Sequence, residues 1–438
     1  MIGRQYASQM VSAPRQIAAQ LLRAADSPGD FLENRLEHDD GFRSLRPDDR
    51  RLAQELIFGV TRWRGTLDWL IARKTAGRPQ NASVQMLLRL GLYQLFWLDR
   101  IPEFAAVNET VQLARESGYA PQSGFINAVL RGCLREGEEL ARALDELRTT
   151  EPATGWSHPG WLVERWQAAL TDPADLQALL EWNNTPPSVF ARANLLRMEQ
   201  GRLLELWRNE NLAYDFRFYE WAGENMVFQL HAVPSLAQLP SFQQGGFYVQ
   251  DPSTLLAVHE LGPLPGETIL DYCAAPGGKA TYMAQLMGNQ GRIVAHDLSA
   301  DRLEFVRENC TRLGVNIVEL VAAPPAILPD QFDRVLVDAP CSNTGVMRRR
   351  VELRWRLTAD EITRLAEEQL GLLRRVAPGL KPGGTLVYST CSLEPEENQQ
   401  VVAQFLAIDP RYELIRERQL HPVHDGVDGA FVAVLRRK

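Results

Sequence analysis

Thr268-Ile269-Leu270-Asp271-Tyr272-Cys273-Ala274-Ala275-Pro276-Gly277-Gly278-Lys279 decides the reading of the fold. A short apolar run suited to a buried parallel strand ends in a carboxylate and a glycine turn. A helical segment from Lys279 to Met287 follows. Gly277 and Gly278 allow the backbone to approach a ligand closely, and the helix N-terminus favours an anionic group such as a carboxylate. The same grammar recurs downstream. Arg292–His296, Asp333–Val337 and Thr385–Tyr388 read as further buried strands, with helical segments at Ala300–Leu313 and Ala359–Ala377. The alternation predicts an open α/β sheet over residues 246–438, with ligands at the carboxyl ends of its strands.

Asp297 ends the next strand, 19 residues beyond Gly278. There an acidic side chain can take both hydroxyls of a ribose. Together with the loop residues Cys273, Ala274, Ala275, Pro276, Gly277 and Gly278 it outlines a place for a nucleoside cofactor. Two other strand ends carry thiols: Asp338-Ala339-Pro340-Cys341 and, 50 residues after that cysteine, Ser389-Thr390-Cys391-Ser392. In an open sheet both face the same crevice as the glycine loop. A cysteine is ordinarily a small buried hydrophobe, and Cys133 and Cys310 are read that way. Two thiols in loops beside a cofactor site fit that description less well. Basic residues are almost all arginine, so Lys279, one of only Lys74, Lys279, Lys381 and Lys438, stands out in its glycine loop.

Outward from this region, residues 150–245 mix helical pieces (Trp161–Leu170) with strand-like ones (Ser188–Ala193, Phe216–Phe218, Met226–Leu230), a small α+β module. Residues 1–140 read as all-helical. Leu52, Leu56, Val60, Trp63, Leu67 and Leu70 fall on one face of an amphipathic helix. The apolar stretch Leu87–Leu98 is too short for a membrane span and is interrupted by Arg89, so a buried helix is expected. With no signal pattern at the N-terminus, a cytoplasmic protein is expected. The five cysteines form no CxxC pair and no zinc spacing, so free thiols and no metal are expected. A net charge of −8 does not advertise nucleic-acid binding, but local patches decide that question. Arg348, Arg349, Arg350, Arg354 and Arg356, just after the first strand-end cysteine, form such a patch and are candidates to hold phosphates.

The segments DYCAAPGGK (271–279), DAPCSNTG (338–345) and VYSTCSLEPEEN (387–398) resemble the motifs of the RNA cytosine-5 methyltransferases. GFYVQDPS (246–253) is similar to that family's opening motif, and DGAF (428–431) to its closing strand. Upstream, ELIFGV (55–60), GLYQL (91–95) and NAVLR (127–131) resemble the NusB-type RNA-binding bundle, which precedes the catalytic domain in the bacterial small-subunit ribosomal RNA (Sun/Fmu) group. The resemblance implies a Rossmann-like methyltransferase sheet, S-adenosylmethionine as cofactor, and ribosomal RNA as the foremost partner of a monomeric enzyme. It implies that Cys391 attacks carbon 6 of the base, that Cys341 serves the later release step, and that Asp338 contacts the base and lies near the cofactor. It also places Lys279 at substrate or cofactor. A thiolate addition of this kind is what makes carbon 5 of cytosine nucleophilic. The sequence departs from the family at the end of the next strand, where Val321-Ala322-Ala323-Pro324 replaces the usual acidic residue near the adenine, and Glu319 is a poorly placed substitute. Transfer RNA as substrate, a catalytically weakened ribosome-assembly factor and a DNA enzyme are the competing readings. The DNA enzyme would leave Cys391 without a role.

Overall fold

The computed structural model describes residues 11–23, 31–223, 226–233, 235–323 and 327–438. It divides into two compact units, residues 1–185 with 348–356, and residues 186–347 with 357–438.

The first unit is helical. Pro47–Arg62 and Arg64–Thr75 carry the apolar face expected at 52–70, but as two helices with a turn at Trp63. Leu56, Leu67, Leu70, Leu87, Leu88 and Leu130 are fully buried in one core. The helix Ala82–Trp97 is buried as expected, and its Arg89 escapes the core through a two-point pair with Asp68 at 2.7 Å. Two of the bundle motifs meet directly. A Cβ at Gly59 would lie 2.0 Å from the Tyr93 ring, so only glycine admits Tyr93, whose hydroxyl donates to Glu55 at 2.5 Å. Helix Gly137–Thr150 adds Leu140, Leu144 and Leu147 to the same core.

Residues 348–356 belong to this unit, and three of the five arginines read as a phosphate-binding patch, Arg348, Arg350 and Arg354, are spent inside it. Arg354 is fully buried and donates to the carbonyls of Arg62, Ser157 and Asn183 and to Asn184 Oδ1. Arg348 is buried with its guanidinium 3.8 Å from the centre of the Trp182 ring. Arg350 pairs with Glu33 at 2.9 Å over Phe31. Val351 sits in the helical core. Guanidiniums committed to carbonyls and rings inside a fold are structural, whatever their density in the sequence.

The second unit holds two sheets. Four antiparallel strands, β1 (Val189–Ala193), β2 (Ala213–Arg217), β3 (Val227–His231) and β4 (Phe247–Val249), form a small sheet in the order β2-β3-β1-β4. Trp207 is buried against Phe228 and Phe247 on one face of it. The large sheet contains β5 (Thr268–Tyr272), β6 (Arg292–His296), β7 (Val318–Val321), β8 (Phe332–Asp338), β9 (Leu380–Thr390), β10 (Tyr412–Leu420) and β11 (Ala430–Arg437). Its order is β10-β11-β9-β8-β5-β6-β7, with β7 to β9 parallel and the β10–β11 hairpin antiparallel at one edge. The chain runs outward from β5 through β6 to β7, then restarts on the other side of β5 with β8 and β9. That reversal is the switch point at which ligands of open α/β sheets bind. Among the described residues no helix is long and apolar enough to cross a membrane, and no cluster of three or more metal-ligating side chains occurs.

Candidate active site

The loop after β5 is a tight turn closed by Ala274 N–H to the His296 carbonyl and Gly277 N–H to the Ala274 carbonyl, both at 2.8 Å. Gly277 has φ +99°, and a Cβ there would lie 3.2 Å from the Val306 backbone. Glycine alone meets both demands. Helix Gly278–Leu286 starts at this point and aims its first N–H groups at the crevice. Its start is held from the small sheet by Arg192 of β1, which donates to the Gly278 carbonyl (3.1 Å) and Thr281 Oγ1 (3.2 Å) between the Tyr248 and Tyr282 rings. Burial lowers the Arg192 guanidinium to about 10. Nothing in the sequence pattern flagged this arginine.

Asp297 follows β6 and is buried beside the same loop. It accepts from Ala275 N–H (3.3 Å) and Ser299 N–H (3.1 Å), while Arg302 pairs with it at 3.4 Å. Residues 273–278 and Asp297 are thus brought together. The carboxyl of Asp271, at the end of β5, is fully buried, and neither oxygen has a hydrogen-bond partner among the described residues. Burial first, then the Asp338 charge, pushes it up to about 7. At the end of β7, Ala322 and Ala323 are exposed and Pro324 lies outside the described residues. Glu319 pairs with Arg292 at 2.6 Å on this edge strand.

The neighbouring strands β8 and β9 deliver the reactive side chains. Asp338, at the end of β8, accepts from Lys279 Nζ (2.6 Å) and from Ser389 Oγ (2.7 Å). Burial works against the Lys279 ammonium, but the charge and hydrogen bond of Asp338 leave it raised above its ordinary value, so it stays cationic. Cys341 Sγ and Cys391 Sγ lie 3.2 Å apart. The hydrogen bond with Cys391 and burial hold the Cys341 thiol well above its ordinary range, with Glu397 adding to the effect. Cys391 Sγ also donates to Asn343 Oδ1 (3.1 Å), and Asn343 Nδ2 donates to the Cys341 carbonyl (2.6 Å). Cys133 is buried in the helical core and Cys310 is half-buried against apolar neighbours, as expected of packing residues. Asn343, Ser389, Gln369 and Glu397 were not singled out from the sequence. Three of them lie inside quoted motifs, but their contacts are set by tertiary folding.

A glycine loop at the switch point and paired thiols at adjacent strand ends are the arrangement that the RNA methyltransferase motifs imply, and the similar proteins make the class an S-adenosylmethionine-dependent RNA methyltransferase. Residues 258–436 match the 16S rRNA methyltransferase RsmB/F model, residues 12–135 the NusB family, and residues 158–218 the ferredoxin-like domain of RsmF/B-like methyltransferases. The chain is 37% identical to ribosomal RNA small subunit methyltransferase B of Vibrio vulnificus, covering 96% of this chain and 98% of that one. It is 34% identical to the probable ribosomal RNA small subunit methyltransferase B of Bacillus subtilis, covering 90% and 92%. A solved methyltransferase homologue protein from Pyrococcus horikoshii is 31% identical with a TM-score of 0.52, covering 60% of this chain and 90% of that one. The chain belongs to the ribosomal RNA small-subunit methyltransferase B family, S-adenosylmethionine-dependent enzymes that methylate carbon 5 of cytosine in RNA.

Proposed function

We propose that this protein methylates carbon 5 of a cytosine in small-subunit ribosomal RNA through a covalent bond from Cys391 to carbon 6. The observation that carries the reading is the pair of thiols 3.2 Å apart beside the Lys279–Asp338 pair. The chemistry of the surrounding groups fits S-adenosylmethionine: a helix N-terminus would hold its carboxylate and Asp297 its ribose hydroxyls. When bound, this cofactor supplies an electrophilic methyl group.

Cys391 as thiolate adds to carbon 6, and the electron pair of the 5,6 double bond moves to carbon 5. Asp338, oriented by Lys279 and Ser389, accepts from the amino group of the base, and a proton on its carboxyl is donated to nitrogen 3 as charge develops. Once carbon 5 carries the methyl, Cys341, having given its thiol proton to solvent, takes the remaining carbon 5 proton, the double bond re-forms and Cys391 leaves as a thiolate 3.2 Å from the Cys341 sulfur. A cytosine stacked in a duplex is out of reach, so the target is single-stranded or flipped out. The helical bundle over residues 1–140 is read as the RNA-binding part, and the cytoplasm as the place of action. Base-resolution mapping of 5-methylcytosine in total RNA from cells with and without the gene tests the reading. Loss of a single small-subunit ribosomal site is expected; loss confined to transfer RNA, or no loss, contradicts it.

A further inference from the structure

Glu397 is fully buried between the two cysteine loops. Its Oε1 accepts from the Ser342 backbone N–H (2.8 Å) and from Gln369 Nε2 (3.0 Å). Its Oε2 accepts from the hydroxyls of Ser392 (2.5 Å) and Ser342. Ser342 follows Cys341 and Ser392 follows Cys391. Gln369 also donates to the carbonyl of Pro340, on the other side of Cys341 (2.9 Å). The Tyr388 hydroxyl fixes the Glu397 backbone through its carbonyl (2.5 Å).

We propose that Glu397 is a positioning residue: its carboxylate clasps the residue after each cysteine and thereby sets the separation of the two thiols. This rests on the two-cysteine reading above. Two of the four donors are N–H groups that cannot reverse, so Oε1 must remain an acceptor. Hydrogen bonds to an ionised carboxylate are the stronger kind, and a buried carboxylate is tolerated only where its acceptor sites are filled in this way. Burial raises the Glu397 carboxyl and the hydrogen bonds from Ser342, Ser392 and Gln369 act against that rise. Other ties join the loops, Gly345 N–H to the Cys391 carbonyl (2.9 Å) and Leu393 N–H to Thr344 Oγ1 (2.9 Å). Cys391 N–H also meets Cys341 Sγ (3.3 Å), and the Ser342 and Ser392 hydroxyls lie 3.1 Å apart; among these ties Glu397 is the charged group and the one that takes both hydroxyls on a single oxygen. A glutamine keeps the shape, but its NH2 must then face the two hydroxyls, which reverses and lengthens their bonds.

The test uses the full-length protein, S-adenosylmethionine and transcribed small-subunit ribosomal RNA. For Glu397→Gln, kcat is expected to fall about tenfold, toward a hundredfold for Glu397→Ala, with KM for the cofactor unchanged. An unchanged kcat, or equal losses in kcat and cofactor affinity, overturns the clasp. If neither variant folds, Ser342→Ala and Ser392→Ala each remove one hydroxyl; reduced kcat in both supports the clasp and wild-type kcat in both overturns it. A second readout needs no RNA. Diamide takes two electrons and two protons from a thiol pair, leaving a disulfide and a hydrazine. Cross-linking of Cys341 to Cys391 is expected to be about tenfold slower in Glu397→Gln, because the thiols lose effective concentration. An unchanged cross-linking rate overturns the clasp even where wild type proves inactive on this RNA, an outcome that would sink the functional reading instead.

Discussion

Residues 338–345 and 348–356 are close in sequence and dense in polar side chains, yet they use them in opposite ways. The first stretch places Asp338 and Cys341 at a strand end, where the carboxylate is met by Lys279 and Ser389 and the thiol by Cys391. The second spends Arg348, Arg350 and Arg354 on a ring, a carboxylate and a set of backbone carbonyls inside the helical unit. The difference shows what each kind of pattern specifies. A cysteine at the end of a parallel strand is placed by the sheet, so its spacing from a second such cysteine has geometric content. A run of arginines specifies charge alone, and five-donor guanidiniums satisfy buried carbonyls as readily as phosphates.

The largest effect that can break this contrast is on the thiol side. Cys391→Ala should lower methyl transfer by about 10^4-fold or more while leaving cofactor binding intact. Residual activity near wild type would remove Cys391 from the chemistry. On the arginine side, Arg354→Ala leaves three buried carbonyls and Asn184 without their donor. It should cost about 2–4 kcal/mol in denaturant unfolding, as expected for a broken buried network. Wild-type stability with weakened RNA binding would restore the phosphate role. Smaller again, Asp297→Ala should weaken S-adenosylmethionine about tenfold or more by calorimetry, the cost of an unpaired ribose diol. An unchanged affinity would reassign that carboxylate to holding the glycine loop through Ala275 and Ser299.

The smallest effect concerns Asp271. Its carboxyl stands at about 7 in the fold against roughly 3.9 in an unfolded chain, because burial disfavours the charge. The folded state therefore binds the proton more tightly. The stability this contributes is full below about pH 4 and is lost as pH rises through about 7. Cofactor-free wild type should lose a few degrees of Tm between pH 5 and 7 that Asp271→Asn retains. Parallel Tm curves for the two proteins would contradict the assignment.

How far the sequence could be read follows from the same physics. β5 and β6 were legible to the residue because each is an apolar run between a turn and a polar end. The helix Ala300–Leu313 was legible because Ser299 caps its start and Gly314 its end. β10 was not, since it is an edge strand with mostly exposed side chains, and β7, a half-buried edge strand, was placed only through the family pattern at Val321. The helix break at Trp63 escaped notice because the apolar period continues across it. In the site, Cys341, Cys391, Asp338, Lys279 and Asp297 were legible from strand ends and family motifs. Arg192 and Glu397 were not, because a buried charge is recognised by its partners, and those partners lie 86 and 55 residues away.

The most direct measurement is the fate of the RNA on the Cys341→Ala protein. If Cys391 forms the bond to carbon 6 and Cys341 serves only release, that variant adds to the base and cannot let go. Incubated with small-subunit ribosomal RNA and S-adenosylmethionine, it should accumulate a protein–RNA adduct that survives denaturing electrophoresis. The adduct should be absent from Cys391→Ala and from the double variant. An adduct on Cys391→Ala and none on Cys341→Ala would reverse the two roles and contradict the account.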